Sequence, residues 1–186
     1  MQLQHLKGST YLISAPASAG LYTDGRDAFL IDSGNNREAG RQIRAILDQR
    51  GLKLRAIINT HSHADHIGGN GYLQKRSECA IAVPALESPM VSSPRIEGEF
   101  LWGGGAHPGL NHPMVKASPS RVTAHYEEGR VAHTPLEALS LPGHSLDMMA
   151  LRTPDNILFT ADALMPIATL KKYPLFYIYH LGDHLS

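Results

Sequence analysis

Short apolar runs separated by turn residues dominate the first part of the chain. Four of these runs are apolar or alternate apolar with polar positions, and glycine, proline or an Asp-Gly pair separates them. They are Leu3 to Leu6, Tyr11 to Ser14, Leu21 to Thr23 and Ala28 to Asp32. This pattern predicts consecutive antiparallel strands at the start of the domain.

A helical period follows the fourth run. Apolar residues between Ala39 and Leu47 recur at the spacing of one helical face, and Gly51 comes directly after this stretch. Asn35 and Glu38 have the spacing of a capping box, so we predict an amphipathic helix that starts at Asn35. Another apolar strand is expected from about Arg55 to Ile58.

The segment from Pro84 to Ser120 has a different composition. Of its 37 residues, 16 are Gly, Pro or Ser, a density that predicts a long loop or lid insertion without regular elements. Its apolar residues either line a substrate pocket or pack on the domain, and its two histidines either bind a ligand or lie at the surface. These residues are Met90, Phe100, Leu101, Trp102, Met114, His107 and His112.

After this segment the chain again has the pattern of strands. Five runs are predicted: Arg121 to Tyr126, Gly129 to His133, Leu136 to Leu141, Met148 to Leu151 and Ile157 to Thr160. Together with the first half they predict one mixed α/β (α+β) domain over residues 1–186, with an insertion at about 84–120.

Composition excludes several functional classes. Lys and Arg (17) balance Asp and Glu (17), so no basic surface indicates nucleic acid. Cys79 is the single cysteine, which excludes an internal disulfide and a cysteine zinc cluster. No apolar run approaches the ~18 residues of a membrane span, and we expect a cytoplasmic protein with a small-molecule substrate.

The strongest chemical signal follows the strand that ends at Ile58. His61, His63, Asp65 and His66 lie within six residues of one another, a density of polar groups that a divalent cation satisfies best. Two later apolar strands also end in a potential ligand. His144 follows the strand that ends at Leu141, and Asp162 follows the strand that ends at Thr160. Because functional side chains at strand ends converge on one edge of a sheet, we expect a common metal site.

These motifs resemble the metallo-beta-lactamase superfamily, whose pattern is His-x-His-x-Asp-His after a strand, then Gly-His, then Asp after another strand. Thr60 to Gly69 matches the first motif, Leu141 to Ser145 the second and Leu158 to Leu164 the third. The strand end from Leu30 to Gly34 is also similar to the family. The resemblance covers almost the whole chain.

The resemblance implies a four-layer αββα sandwich with a pair of zinc ions at one end; iron or manganese are alternatives. It implies that His61, His63 and His144 hold one metal, that Asp65 and His66 hold the second, and that Asp162 bridges them, with Asp65 also the candidate catalytic residue. Zinc lowers the pKa of its water to about 7, which supplies a hydroxide nucleophile. The resemblance therefore implies hydrolysis of an ester, thioester or lactone.

Two departures from the family pattern qualify this interpretation. No later histidine completes the second metal site, which predicts a chain truncated at the C-terminus, weaker occupancy of that site and an uncovered edge that favours a homodimer. A helix is predicted from near Pro174, where His180 and His184 either bind metal or form a polar stripe. The long interval between His66 and His144 leaves the substrate open.

Three functions remain at this stage. The first is the metal-dependent hydrolase. The second is an iron-dependent sulfur oxidoreductase of the same fold, because these ligands also accept iron. The third is a catalytically impaired metal-binding fragment that lacks the last histidine.

Overall fold

Two facing β-sheets form the centre of the protein. The structure is a computed structural model that describes residues 1–102, 116–172 and 177–186, with Trp102 described by its backbone alone. The seven strands of the large sheet, in spatial order, are β1 (Gln2–Lys7), β2 (Thr10–Ser14), β3 (Ala19–Asp24), β4 (Asp27–Ile31), β5 (Lys53–Ile58), β6 (Ala80–Pro84) and β7 (Ala124–Tyr126). The small sheet contains β8 (Gly129–Arg130), β9 (Glu137–Ser140), β10 (Met149–Arg152) and β11 (Leu158–Phe159), in the order β11-β10-β9-β8.

Strand direction explains where the ligands meet. β1 to β4 are antiparallel, as predicted, whereas β4 to β7 run parallel to one another. The C-terminal ends of β4 and β5 therefore lie at the same edge of the large sheet. A backbone hydrogen bond of 3.0 Å from Met149 N to Thr60 O joins the small sheet to this edge.

The core has two layers because successive side chains on a strand point to opposite faces. In β4, Leu30 packs in the cluster under the helices, while Phe29 and Ile31 pack between the sheets. The first cluster also contains Ile43 from a helix, and the second contains Leu151 from the small sheet. The predicted α/β sandwich is confirmed.

Seven α-helices are described in these residue ranges. They are α1 (Arg37–Gln49), α2 (Ala64–Ile67), α3 (Asn70–Ser77), α4 (Ser88–Ser92), α5 (Pro94–Trp102), α6 (Ile167–Lys172) and α7 (Leu181–Leu185). The start predicted for α1 was wrong by one residue. Asn36, with an extended backbone, is the N-cap, and its side chain accepts a hydrogen bond of 2.9 Å from Ala39 N.

Regular structure in the first part of the 84–120 segment corrects a second prediction. A turn of 3-10 helix (Ala85–Glu87), α4 and α5 occupy residues that were expected to be irregular. Pro89 and Pro94 both lie in the first turn of a helix. N–H groups in the first turn have no hydrogen-bond partner within the helix, so proline, which lacks an N–H group, causes no loss there. High proline content therefore marked helix starts here.

The C-terminal helix differs from its prediction. Residues 177–180 are not helical, and Pro174 lies outside the described residues. His180 is the N-cap of α7, where its Nδ1 accepts a hydrogen bond of 3.2 Å from Asp183 N. His180 and His184 therefore do not share a helical face. Within the described ranges, no helix is both long and apolar enough to span a membrane.

Candidate metal centre

Three structural elements bring the predicted ligands together. The turn after β5 carries His61 and His63, and it leads into α2, which carries Asp65 and His66. His144 lies in the loop between β9 and β10, and Asp162 in a 3-10 turn (Ala161–Ala163) after β11. The predicted convergence of three strand ends is present in the structure.

The ligand atoms form two overlapping groups. His61, His63 and His144 make one group and His61, His66 and Asp162 make the other, with all ligand atoms of a group within 4.8 Å of one another. His63 Nδ1 lies 2.9 Å from His144 Nε2. Asp162 lies between the groups, since Oδ2 is 3.4 Å from His144 Nε2 and Oδ1 is 3.4 Å from His66 Nε2.

Asp65, also a predicted ligand, belongs to neither group but lies next to the second. Its Oδ2 atom is 3.9 Å from His66 Nε2, and a quarter of its side chain is exposed (25%). The side chain of Asp162 is similarly exposed (28%). Both aspartates therefore face the solvent side of the histidine cluster.

The chemistry of this cluster fits a cation. His61 is fully buried, and its Nε2 atom has no hydrogen-bond partner among the described residues. Its ring centroid lies 4.5 Å from that of His63, 4.2 Å from His66 and 5.2 Å from His144. A buried polar atom without a partner is costly, and a cation among imidazole nitrogens and carboxylate oxygens removes that cost. Zinc accepts this set of donors readily.

Burial and neighbouring charges set the protonation of the cluster. Burial lowers the pKa of His61 well below its usual value and that of His63 to about 3, so both rings are neutral, as metal binding requires. Burial opposes ionisation of Asp162, but its hydrogen bond to His66 and the nearby imidazoles outweigh burial and lower its pKa to about 2. For His66 burial is outweighed by the charge of Asp32, which raises its pKa well above the usual value.

Asp32, at the end of β4, orients two of the histidines. It is buried and accepts hydrogen bonds from Thr60 N at 2.9 Å, Thr60 Oγ1 at 2.8 Å and His66 Nδ1 at 2.8 Å. Thr60 Oγ1 in turn lies 3.0 Å from His61 Nδ1 and accepts its proton. Both rings then carry the proton on Nδ1 and direct Nε2 to the cluster.

This role for Asp32 was missed in the sequence. An acidic residue directly after an apolar strand, followed by Ser33-Gly34, is the sequence signal that could have indicated it. His144 is oriented in a similar way, because its Nδ1 atom donates to Tyr177 O at 2.9 Å.

Two further buried acids, Glu87 and Glu97, lie under the turn that carries the ligands. They belong to the segment that was predicted to be a lid. Glu97 is 1% exposed, and its Oε1 accepts a hydrogen bond of 3.1 Å from Ala64 N, at the start of α2. Its Oε2 atom is buried with no partner among the described residues. Burial raises the pKa of Glu97 to about 8.

Glu97 is therefore expected to make stability depend on pH. The folded protein keeps the Glu97 proton up to a pKa of about 8, whereas the unfolded chain loses it near 4.5. The free energy of unfolding should fall by up to about 1.4 kcal/mol per pH unit between these values. In Glu97→Gln this contribution is absent. Urea denaturation of both proteins in chelator, at about pH 5.5 and about pH 7.5, measures the difference; parallel pH curves would contradict the assignment.

Met90, Phe100 and Leu101 line a small cavity of about 10 Å³ beside His63, which has room for no more than about one water. Met90 is buried and Leu101 half-buried, which favours the packing interpretation over a substrate pocket for these two. Phe100 is 41% exposed, and its ring centroid lies 5.2 Å from that of Tyr179. His107, His112, Met114 and the side chain of Trp102 lie outside the described residues.

An open cleft lies on the other side of the ligands. It has a volume of about 570 Å³, and Asp65, His66 and Asp162 lie on its wall. The rest of the lining is largely apolar, with Leu164 and Met165 at the side, and it also includes the carboxylate of Asp32 and the side chains of Thr60, Thr160 and Thr169. No Lys or Arg is among the described lining residues. Neither His180 nor His184 belongs to the groups of ligand atoms found in the described part of the chain.

Comparison with known sequences identifies relatives. A sequence model of the Metallo-beta-lactamase superfamily matches residues 14–186. The chain is 30% identical over 130 residues to a Bacillus subtilis protein named "Probable metallo-hydrolase YybB", covering 70% of this chain and 53% of that protein. It is 35% identical over 118 residues to a hydroxyacylglutathione hydrolase of Thiobacillus denitrificans, covering 63% of this chain and 36% of that protein. The chain thus spans about half or less of these relatives.

Solved structures show the same fold. The FEZ-1 metallo-beta-lactamase of Legionella gormanii matches with a TM-score of 0.71 at 16% identity, over 89% of this chain and 66% of that one. The subclass B3 metallo-beta-lactamase BJP-1 of Bradyrhizobium japonicum matches with a TM-score of 0.71 at 18% identity, over 100% of this chain and 71% of that one. Because the family match runs through nearly the whole sequence and includes every predicted ligand, the chain belongs to the metallo-beta-lactamase superfamily.

Proposed function

We propose that this protein is a zinc-dependent hydrolase of carbonyl esters, with a thioester, ester or lactone as substrate. One observation carries the proposal. Two groups of buried and half-buried ligand residues share His61, and Asp162 of the second group lies next to the first, at the wall of an open cleft. A site for a cation next to a site for a small molecule is the arrangement that metal-assisted hydrolysis requires.

The residues divide the work as follows. Neutral His61, His63 and His144 would hold the first ion, while His66 and Asp162, with Asp65 next to them, would complete the site. When bound, zinc acidifies water and stabilises the negative charge that develops on an attacked carbonyl oxygen. Asp32 accepts the Nδ1 proton of His66, so a bound ion would replace the proton on Nε2 and leave the one on Nδ1 in place.

Asp65 is the proposed proton acceptor at this site. Its carboxylate lies on the cleft wall, and burial raises its pKa from the ordinary value. A raised pKa makes a carboxylate a better base near neutral pH. Asp65 Oδ2 would accept the proton that leaves the attacking water and then deliver it to the leaving group.

The cleft lining supports an uncharged substrate portion next to the reacting carbonyl. Among the described residues that line it there is no Lys or Arg to pair with a carboxylate or phosphate. The hydroxyacylglutathione hydrolases among the relatives nevertheless support a thioester as one candidate. A comparison of thioesters with and without a charged group separates these possibilities.

A substrate panel with metal analysis tests the proposal. The purified full chain is assayed for zinc and iron by elemental analysis, and for hydrolysis of lactoylglutathione, a neutral acyl thioester, an aryl ester, a lactone and a phosphodiester. We expect bound zinc and hydrolysis of the carbonyl substrates, lost in Asp162→Asn. Stoichiometric iron with oxygen consumption, or zinc without turnover of any substrate, would overturn the proposal.

A further inference from the structure

We propose that Glu87 is a positioning residue that locks the two metal-binding loops of the centre together. The inference rests on the proposed function only in that the centre binds a metal. It assigns a new role to the segment after β6: one of its side chains would hold the metal-binding loops in position. The argument depends on the partners of one buried carboxylate.

Glu87 is 0% exposed, and each of its two carboxylate oxygens accepts two hydrogen bonds. Oε2 accepts from Ser62 N at 3.0 Å and from Ser62 Oγ. Oε1 accepts from Ser145 Oγ at 2.7 Å and from Asp147 N at 2.8 Å. A carboxylate has about four lone-pair sites, so all of its acceptor capacity is used.

The positions of these donors connect Glu87 to the ligands. Ser62 lies between His61 and His63 in the turn after β5, and Ser145 directly follows His144 in the loop after β9. One oxygen therefore holds the first loop and the other oxygen holds the second. His63 and His144 are 81 residues apart in the sequence, yet their ligand atoms must lie side by side. Glu87 connects the two loops through their backbones, because it accepts from Ser62 N in one loop and from Asp147 N in the other.

Simple filling of space does not explain this residue. Burying a carboxylate is costly unless it is fully hydrogen-bonded, and an apolar side chain would fill the same volume without that cost. Glu97 offers a contrast, since it holds only Ala64 N and leaves one oxygen without a partner among the described residues.

The isosteric variant Glu87→Gln tests the role directly. An amide has one acceptor oxygen, and in either orientation its NH2 group faces a backbone N–H, that of Ser62 or that of Asp147. We expect zinc affinity to fall about 10- to 100-fold. In the metal-free protein, amide hydrogen exchange should become faster in both loops, at residues 60–66 and 143–148. The spectrum of the cobalt-substituted protein should also change.

Asp155→Asn is the matched control. Asp155 Oδ2 accepts hydrogen bonds from Ser9 N at 2.8 Å and Thr10 Oγ1 at 2.7 Å, and it lies before β11, whereas Asp162 lies after it. This variant should lower stability and speed exchange near Ser9, with zinc affinity within about 2-fold of wild type. Equal zinc affinities for wild type and Glu87→Gln would overturn the proposal, as would faster exchange in only one loop.

A milder variant covers the case in which Glu87→Gln does not fold. Ser145→Ala removes one donor to Glu87 and leaves the backbone bonds, so we expect a smaller loss of zinc affinity with faster exchange at 143–148. Unchanged affinity and exchange would contradict the role. A wild-type protein that binds zinc but hydrolyses nothing would reject the proposed function alone, because all three measurements for Glu87 are made without substrate.

Discussion

His61→Ala is expected to remove zinc from the purified protein and to lower hydrolysis about 10³-fold or more. His61 is the residue that both groups of ligand atoms share. Its loss leaves His63 and His144 with one fewer partner for a first ion, and it leaves His66 and Asp162 with one fewer for a second. No other single ligand belongs to both groups among the described residues.

The same variant has a distinct signature in stability. A ligand that binds the folded state at 1,000 times its dissociation constant stabilises it by about 4 kcal/mol. Zinc should therefore raise the melting temperature of the wild type, and chelator should reverse the increase. In His61→Ala the melting temperature should not respond to zinc. His5→Ala, at an exposed histidine on β1, is the control and should respond as the wild type does. Wild-type zinc content in His61→Ala would contradict the assignment.

The ligands could be predicted because their signal is local. His61, His63, Asp65 and His66 lie in one short segment after one strand, and His144 and Asp162 each follow within four residues of a strand end. Strands were recognised from alternation and from turn residues, and their ends determine where a side chain can act. The structure brings these residues together as expected, although their binding of metal stays a prediction.

The supporting residues could not be predicted, because their partners are distant in sequence. Asp32 reaches Thr60 across 28 positions, and Glu87 reaches Ser145 across 58. Nothing in the local pattern around Glu87 separates a buried acceptor of four hydrogen bonds from an exposed acid. Composition was also misleading there, since prolines at the first turns of α4 and α5 were interpreted as interruptions.

Asp32→Asn is expected to weaken zinc binding about 10- to 100-fold and to destabilise the metal-free protein by at least about 2 kcal/mol. The side chain keeps its shape, and asparagine tolerates the positive φ of 60° at this position. What changes is the number of hydrogen bonds that the side chain can accept. Asp32 Oδ2 accepts from both Thr60 Oγ1 and His66 Nδ1, whereas an amide nitrogen there would donate.

The consequence reaches the metal through the tautomer of His66. When the amide nitrogen faces Nδ1, the ring must move its proton to Nε2, the atom that faces Asp162 at 3.4 Å and must be free to bind metal. If the amide turns over, its nitrogen instead faces Thr60 N, so the turn that carries His61 loses its own anchor. Thr60→Val is a comparison that leaves two bonds to Asp32 in place, those from His66 Nδ1 and from Thr60 N, and removes the hydroxyl between Asp32 and His61 Nδ1. We expect Thr60→Val to weaken zinc binding less than Asp32→Asn, as measured by competition with a chelator at fixed pH. A loss in Asp32→Asn no larger than the loss in Thr60→Val would contradict the larger role assigned to Asp32.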